Sequence, residues 1–271
     1  MNILIPTYMR ETDQRCWDNM PEEIRKKAYL CSRSDRVEIL RENYPDANII
    51  DIGETDGIAD VRQRLVNIAG NRKIMIVDDS CTFMYRDDEM KLKKMEDPAM
   101  WNEMLDMVDT MLDDYAWVGI SDRAGNNRIE EDFAEITRSY SCYGINTKMF
   151  NQNGITFDGM WQEDKELKLF EDFYAILSML SKGMKNAVIY KYAFNHPHGK
   201  EGGNSTFRNE ELQQKCYQAL SRKFPGIIKL KVKENASWTA DSDNTSRTEA
   251  IISWKKAYNE DTGASLDEFF G

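Results

Sequence analysis

Apolar residues in the first eighty positions fall into short blocks set apart by polar ones. Ile3, Leu4 and Ile5 run into Pro6, which predicts a buried first strand ended by a residue that cannot donate to a ladder. Ala28 to Cys31, Asn48 to Asp51 and Lys73 to Val77 are further apolar runs of strand length. Between them the period changes. Val37, Ile39 and Leu40 take helical spacing within Asp35 to Asn43. Ile58, Val61, Leu65 and Ile68 share one face of a helix that Gly70 and Asn71 stop. Strands alternating with helices predict a largely parallel sheet covered on both faces.

The second half is less regular. Asp97 to Tyr115 predicts a long acidic helix with Trp101, Leu105, Val108 and Leu112 on one side. Trp117 to Ile120 and Arg138 to Ile145 predict strands separated by the polar stretch AGNNRIEED. Glu171 to Lys182 predicts a helix ending at Gly183, and Ala187 to Tyr192 a strand. HPHGKEGGNS is a glycine-rich loop, and helix, strand and helix are expected at 209–220, 227–232 and 247–257. No internal repeat or low-complexity linker divides the chain, so a single domain over 1–271 is expected.

Composition narrows the class. The 271 residues are 41% hydrophobic and 31% charged, ordinary for a globular domain with a substantial core. A net charge of −11 argues against a protein that coats nucleic acid non-specifically, while leaving room for a local basic groove. The five cysteines are scattered without a Cys-x-x-Cys pair, which fits a reducing compartment better than a disulfide framework. No apolar run is long enough for a membrane span, so a cytoplasmic protein without a membrane partner is expected.

In a parallel sheet, ligands bind beyond the carboxyl ends of the strands. Pro6-Thr7-Tyr8, Ser32 to Asp35 and Asp78-Asp79 all fall there. Adjacent carboxylates repel and are costly to desolvate, so Asp78 and Asp79 either hold a cation together with a diphosphate or cap a turn in solvent. Glu171 and Asp172 open a predicted helix, where the macrodipole favours acids; facing the rim, one of them is a candidate general base. The chain's two histidines, His196 and His198, stand beside Gly199, Gly202 and Gly203, with Lys200 and Arg208 nearby. Imidazole ligation with close phosphate approach is one reading, a surface loop the other. The lysines of SRKFPGIIKLKVK suit either a nucleic-acid track or a solvated strand edge.

In order along the chain, ILIPTYMR, GIADVRQRLVNIAGNRKIMIVDDS, FEDFYAILSMLSKG and HPHG resemble the GT-A class of nucleotide-sugar glycosyltransferases. Within that class the chain resembles the TET-associated glycosyltransferases of bacteriophages, through the GIA-x-x-RQ helix and the acidic motif running from Asp78 to Phe83. The resemblance implies a GT-A-like, Rossmann-like α/β fold with a mixed, mainly parallel sheet. Residues 1–120 would be its nucleotide-sugar half and 121–271 its acceptor half. It implies sugar transfer from a UDP-sugar to a hydroxymethylated pyrimidine of phage DNA, in the cytoplasm of an infected cell, with Mn2+ or Mg2+. Pro6, Thr7, Tyr8, Arg10, Arg33, Asp35, Arg62, Asp78, Asp79, Lys200 and Gly203 would surround the donor. Asp78, Asp79, His196 and His198 would hold the metal. Asp172, with Glu171 as alternate, would take the acceptor's proton or steer it. Ser80 and Cys81 depart from the pattern, because they stand where a further carboxylate is usual. A glycan or small-molecule acceptor, and a non-catalytic nucleotide-binding relative, are the competing readings.

Overall fold

Alternation along the central strands explains how one sheet acquires two apolar faces. In the computed structural model, which describes residues 1–125, 131–196, 208–234 and 246–258, Ile74 and Ile76 join one buried cluster while Met75 and Val77 join another. Leu4 and the pair Ile3 and Ile5 divide in the same way, as period-2 geometry requires of a strand buried on both sides.

The strands are β1 (Asn2–Thr7), β2 (Ala28–Ser32), β3 (Asn48–Asp51), β4 (Lys73–Val77), β5 (Thr82–Arg86), β6 (Leu92–Lys94), β7 (Trp117–Asp122), β8 (Phe133–Glu135), β9 (Cys142–Asn146), β10 (Ala187–Asn195), β11 (Ile228–Glu234) and β12 (Ser246–Ile252). The first ten form one mixed sheet in the order β3-β2-β1-β4-β9-β7-β10-β5-β6, with β8 on β10; β11 and β12 form a separate ribbon. Parallel pairing runs through β3, β2, β1 and β4 and returns between β7 and β10. The helices are α1 (Arg15–Asp18), α2 (Glu22–Arg25), α3 (Val37–Asn43), α4 (Ile58–Ala69), α5 (Pro98–Met111), α6 (Thr147–Gln152), α7 (Gly159–Glu163), α8 (Glu171–Ser181), α9 (Glu210–Lys223) and α10 (Trp254–Ala257). Leu65 and Val66 of α4 pack on one face with Ile176, Leu177 and Leu180 of α8. Trp101, Leu105 and Val108 of α5 cover the other. Gly144 in β9 lets α5 approach, since a Cβ there would lie 2.5 Å from Val108 Cγ1.

Three expected elements are corrected. Pro6 lies inside β1, opposite Cys31, rather than ending it. Pairing with β4 stops at Leu4, so Pro6 has a neighbour on one side only, where a missing donor is tolerated. The strand expected from Arg138 begins at Cys142, after Ser141 takes a left-handed backbone with φ 55°. The helix expected at 247–257 is mostly strand: Arg247 to Ile252 pair with β11, and only Trp254–Ala257 is helical. Apolar Ala250, Ile251 and Ile252 allow either period, and cross-strand pairing decides. The β5–β6 hairpin and β8 go beyond what local periodicity predicts, and part of AGNNRIEED lies outside the described residues.

Topology then concentrates chain ends on one rim. Parallel register ends β1 and β2 side by side at Thr7 and Ser32, and Ser32 Oγ donates to the Thr7 carbonyl over 3.3 Å. Antiparallel β9 begins at Cys142 opposite Val77, so the Asp78 N–H donates to the Ser141 carbonyl at 2.8 Å. β5 pairs with the end of β10, Thr82 against Asn195, which delivers His196 beside the acidic turn.

Candidate active site

The acidic turn is anchored by its own backbone before any side chain is considered. Cys81 N–H donates to the Asp78 carbonyl over 3.1 Å, and Cys16 N–H donates to the Asp79 carbonyl over 2.7 Å. The two carboxylates then part. Asp79 Oδ1 accepts from Arg10 Nη1 at 2.6 Å in a nearly closed site. Asp78 Oδ1 accepts from Arg62 Nη2 at 2.9 Å and stays partly open to solvent. Burial pushes the Asp79 carboxyl up to about 7, with Arg10 opposing and neighbouring Asp78 adding to the rise. Burial therefore outweighs the Arg10 guanidinium at Asp79.

Arg62 is the hinge of the arrangement. Buried to 4% exposure, it donates through Nη1 to Glu171 Oε1 at 2.5 Å and through Nη2 to Asp78. Its guanidinium lies 5.5 Å from the centre of the buried Tyr143 ring. Arg62 Nε and Tyr143 Oη have no hydrogen-bond partner among the described residues, leaving two buried polar atoms that a ligand or water could satisfy. The sequence placed Arg62 against a sugar diphosphate; in the structure its two Nη atoms are engaged by carboxylates.

Glu171 and Asp172 begin α8 immediately after Phe170, whose backbone is left-handed at φ 67°. Holding a bulky residue there costs on the order of 1–3 kcal/mol, a strain commonly found where a fold fixes functional groups. Glu171 is buried, whereas Asp172 is half-buried and remains reachable. Burial raises both carboxyls above their ordinary range, and Arg62 opposes the rise in each. Arg138 also opposes it at Asp172, and its guanidinium lies 4.4 Å from the Tyr140 ring centre and 5.2 Å from that of Phe173. Tyr140 in turn donates to Asp122.

At the other end of the rim, Thr7 Oγ1 donates to Gln14 Oε1 over 2.9 Å, and Gln14 Nε2 donates to the Arg10 carbonyl over 2.7 Å. Arg36 grips buried Glu11 with two bonds of 2.9 Å. Arg33 bonds Asp35, Glu54 and the Thr55 carbonyl and lies 5.5 Å from the Tyr8 ring centre. Thr7, Tyr8, Arg10, Arg33 and Asp35 thus line the rim that the sequence indicated, with Pro6 buried behind them. His196 meets the turn through Nδ1, 2.8 Å from Ser80 Oγ. His198, Lys200 and Gly203 lie outside the described residues.

The donor set suits a hard divalent cation. Asp78 and Asp79 offer oxygen ligands, and a dication there would add to the positive charge that Arg10 brings to buried Asp79. No group of three or more His, Cys, Asp or Glu among the described residues could hold a metal, so these two acids need further ligands such as a diphosphate. Sequence reading missed Gln14, the Glu11–Arg36 pair, Arg138, Tyr140 and Asp122. Reading Arg138 to Ile145 as strand conceals an arginine and a tyrosine on the rim. Gln14 and Glu11 lie close behind ILIPTYMR, where a buried polar cluster is the available signal.

A strand-end acid pair and a helix-start acid pair are thus joined by one buried arginine on the carboxyl rim of a mixed α/β sheet. The chain belongs to the TET-Associated Glycosyltransferase family, whose model matches residues 1–203, and it is a nucleotide-sugar-dependent glycosyltransferase. Over 245 residues it is 22% identical to the Beta-glucosyl-HMC-alpha-glucosyl-transferase of Enterobacteria phage T6, covering 83% of this chain and 81% of that protein. The protein of the same name from Enterobacteria phage T2 matches to the same extent. Among solved structures, the glucosyl-3-phosphoglycerate synthase of Mycobacterium tuberculosis aligns with a TM-score of 0.49 and 8% identity, covering 93% of this chain and 88% of that one. No helix among the described residues is long and apolar enough to cross a membrane.

Proposed function

We propose that this enzyme transfers a sugar from a UDP-sugar to the hydroxyl of a hydroxymethylated pyrimidine in DNA. The observation that carries the site assignment is Arg62 lying buried between Asp78 and Glu171, which fixes the donor-side and acceptor-side acids relative to one another. Family membership and the phage relatives named for HMC support the acceptor.

The residues divide the work as follows. Tyr8 and Arg33 receive the nucleotide base, the planar guanidinium and ring offering stacking surfaces. Arg10, paired with Asp79, would receive the diphosphate. Asp78 and Asp79 would hold Mn2+ or Mg2+, with His196 beside them; when bound, the cation supplies Lewis-acid neutralisation of charge on the departing diphosphate. Arg62 keeps Glu171 in place. Half-exposed Asp172 receives the acceptor hydroxyl, taking its proton where the anomeric centre inverts and orienting it where the centre is retained. Arg138 flanks Asp172 and favours its ionised, proton-accepting form.

The names of the phage relatives favour a second acceptor, a sugar already attached to the hydroxymethyl group. One experiment addresses both. The protein is incubated with a panel of UDP- and GDP-sugars and with DNA bearing cytosine, hydroxymethylcytosine, hydroxymethyluracil or glucosylated hydroxymethylcytosine, and the nucleosides are weighed by mass spectrometry. A hexose or pentose increment on a hydroxymethylated base is expected. Transfer to free glycans with none to DNA would overturn the reading.

A further inference from the structure

The β11–β12 ribbon lies beyond residue 203, where the family match ends, and its two faces differ in character. On one face Ile228 and Thr248 are buried, and Gln213 Nε2 of α9 donates to the Thr248 carbonyl at 2.8 Å. Alternation puts Lys229, Lys231 and Lys233 on the other face, all exposed. Lys233 is tied to Glu249 at 2.7 Å; Lys231 stands opposite Glu249 in the register, yet no carboxylate among the described residues forms an ion pair with Lys229 or Lys231. Alternate residues of an antiparallel strand stand about 6.8 Å apart. That is close to the distance between successive phosphates on one DNA strand. In a chain of net charge −11, such a row is a local exception.

The ribbon is also joined to the site. Ser253 N–H donates to the Ile227 carbonyl at its base, and the next residue, Trp254, meets the Phe173 ring edge-on at 5.6 Å. Tyr217 of α9, on which the ribbon packs, stacks on Phe170 at 4.0 Å. Phe170 and Phe173 flank Glu171 and Asp172, so the ribbon springs from the wall that carries the acceptor-side acids.

We infer that the lysine face of the β11–β12 ribbon is a docking track for the phosphate backbone of duplex DNA, guiding it to Asp172. The inference rests on the DNA acceptor proposed above and adds the surface that holds it. Backbone contacts of this kind position a duplex without reading its sequence, and each makes binding depend on salt.

The test measures binding of a fluorescently labelled duplex carrying hydroxymethylcytosine, by anisotropy, across a salt series. For Lys229→Ala/Lys231→Ala the slope of log affinity against log salt should shrink by about 1.8, that is, about 0.9 for each phosphate no longer neutralised by a lysine. Lys26→Ala/Lys148→Ala removes the same charge from exposed positions elsewhere and should leave the slope unchanged. In transfer assays the ribbon variant should raise KM for duplex while leaving kcat, and transfer to a free hydroxymethylated nucleoside, as in the wild type. An unchanged slope in the ribbon variant, or an equal drop in the control variant, overturns the inference. Duplex binding with the expected slopes but no sugar transfer to any DNA would overturn the proposed acceptor and leave the ribbon's role standing.

Discussion

Replacing Arg62 by methionine keeps much of the side chain's length and apolar packing but removes its charge from between Asp78 and Glu171. Two ion pairs, of 2.9 and 2.5 Å, disappear together, and both wild-type partners of Arg62 are left without their cation. Breaking a buried pair by deleting one partner costs about 3–5 kcal/mol. Unfolding entropy of about 2.1 cal/mol/K per residue gives about 0.57 kcal/mol/K for 271 residues, so Tm should fall by about 5–9 °C. The deficit should depend on pH, and its sign follows from Glu171. That carboxyl is already raised above its unfolded value by burial, so its contribution to stability is present in acid and fades as pH climbs through the folded value, about 7. Without Arg62 the folded value climbs further, and the fading is steeper. Melting curves by circular dichroism should show a small deficit at pH 5 and the full one at pH 8, with Arg62→Lys intermediate because one ammonium cannot span both acids as the guanidinium fork does. A deficit equal at both pH values, or below about 1 kcal/mol throughout, would refute the assignment of Arg62 as the electrostatic link.

Asp172→Asn should lower kcat by about 10²–10⁴-fold while leaving donor KM within about twofold, measured by release of the nucleoside diphosphate; a normal kcat would remove Asp172 from the reaction. Asp79→Asn should abolish transfer yet raise Tm at pH 8 and not at pH 4. The wild-type carboxyl, at about 7 against an ordinary 3.8, is protonated in acid and must be ionised against burial in base, a difference of up to about 4 kcal/mol. Chelator should suppress transfer and added Mn2+ restore it. In differential scanning fluorimetry Mn2+ with UDP should stabilise the wild type but not Asp79→Asn, and stabilisation of both alike would move the cation away from Asp79.

The sequence discloses the parallel half of the sheet well, because β1, β2 and β4 are short apolar runs buried on both faces and separated by amphipathic helices. Their carboxyl ends follow from topology alone, and Thr7, Ser32 and Asp78 do share a rim. What is missed depends on long-range pairing. Ser80 and His196 are 116 residues apart, and the β5–β10 register that joins them leaves no trace in local periodicity. Ala250 to Ile252 suits helix or strand equally until β11 is present beside it. Arg62 occupies an ordinary helical position, and that it is buried between acids becomes visible once α8 is in place. Glu171 and Asp172 look alike in sequence, yet burial separates them, leaving Asp172 the more accessible.

Ser80 follows the acid pair directly, and the charges around it show what a further acid there would do. Asp78, Asp79, Glu171 and Asp172 bring four carboxylates into a partly closed site, against the guanidiniums of Arg10, Arg62 and Arg138. Burial pushes the Asp79 carboxyl up to about 7, with Arg10 opposing and Asp78 adding to the rise, so holding its charge near neutrality is already costly. Another carboxylate at position 80 would drive Asp78 and Asp79 further toward their neutral forms, which are poor ligands for a cation. Serine instead offers a neutral partner to His196 Nδ1 and fixes the imidazole at the edge of the turn without adding charge. Arg62 makes a similar economy, because one guanidinium pairs with both Asp78 and Glu171. With so few acids in the turn, a diphosphate bringing its own oxygens would complete the coordination of a cation held by Asp78 and Asp79.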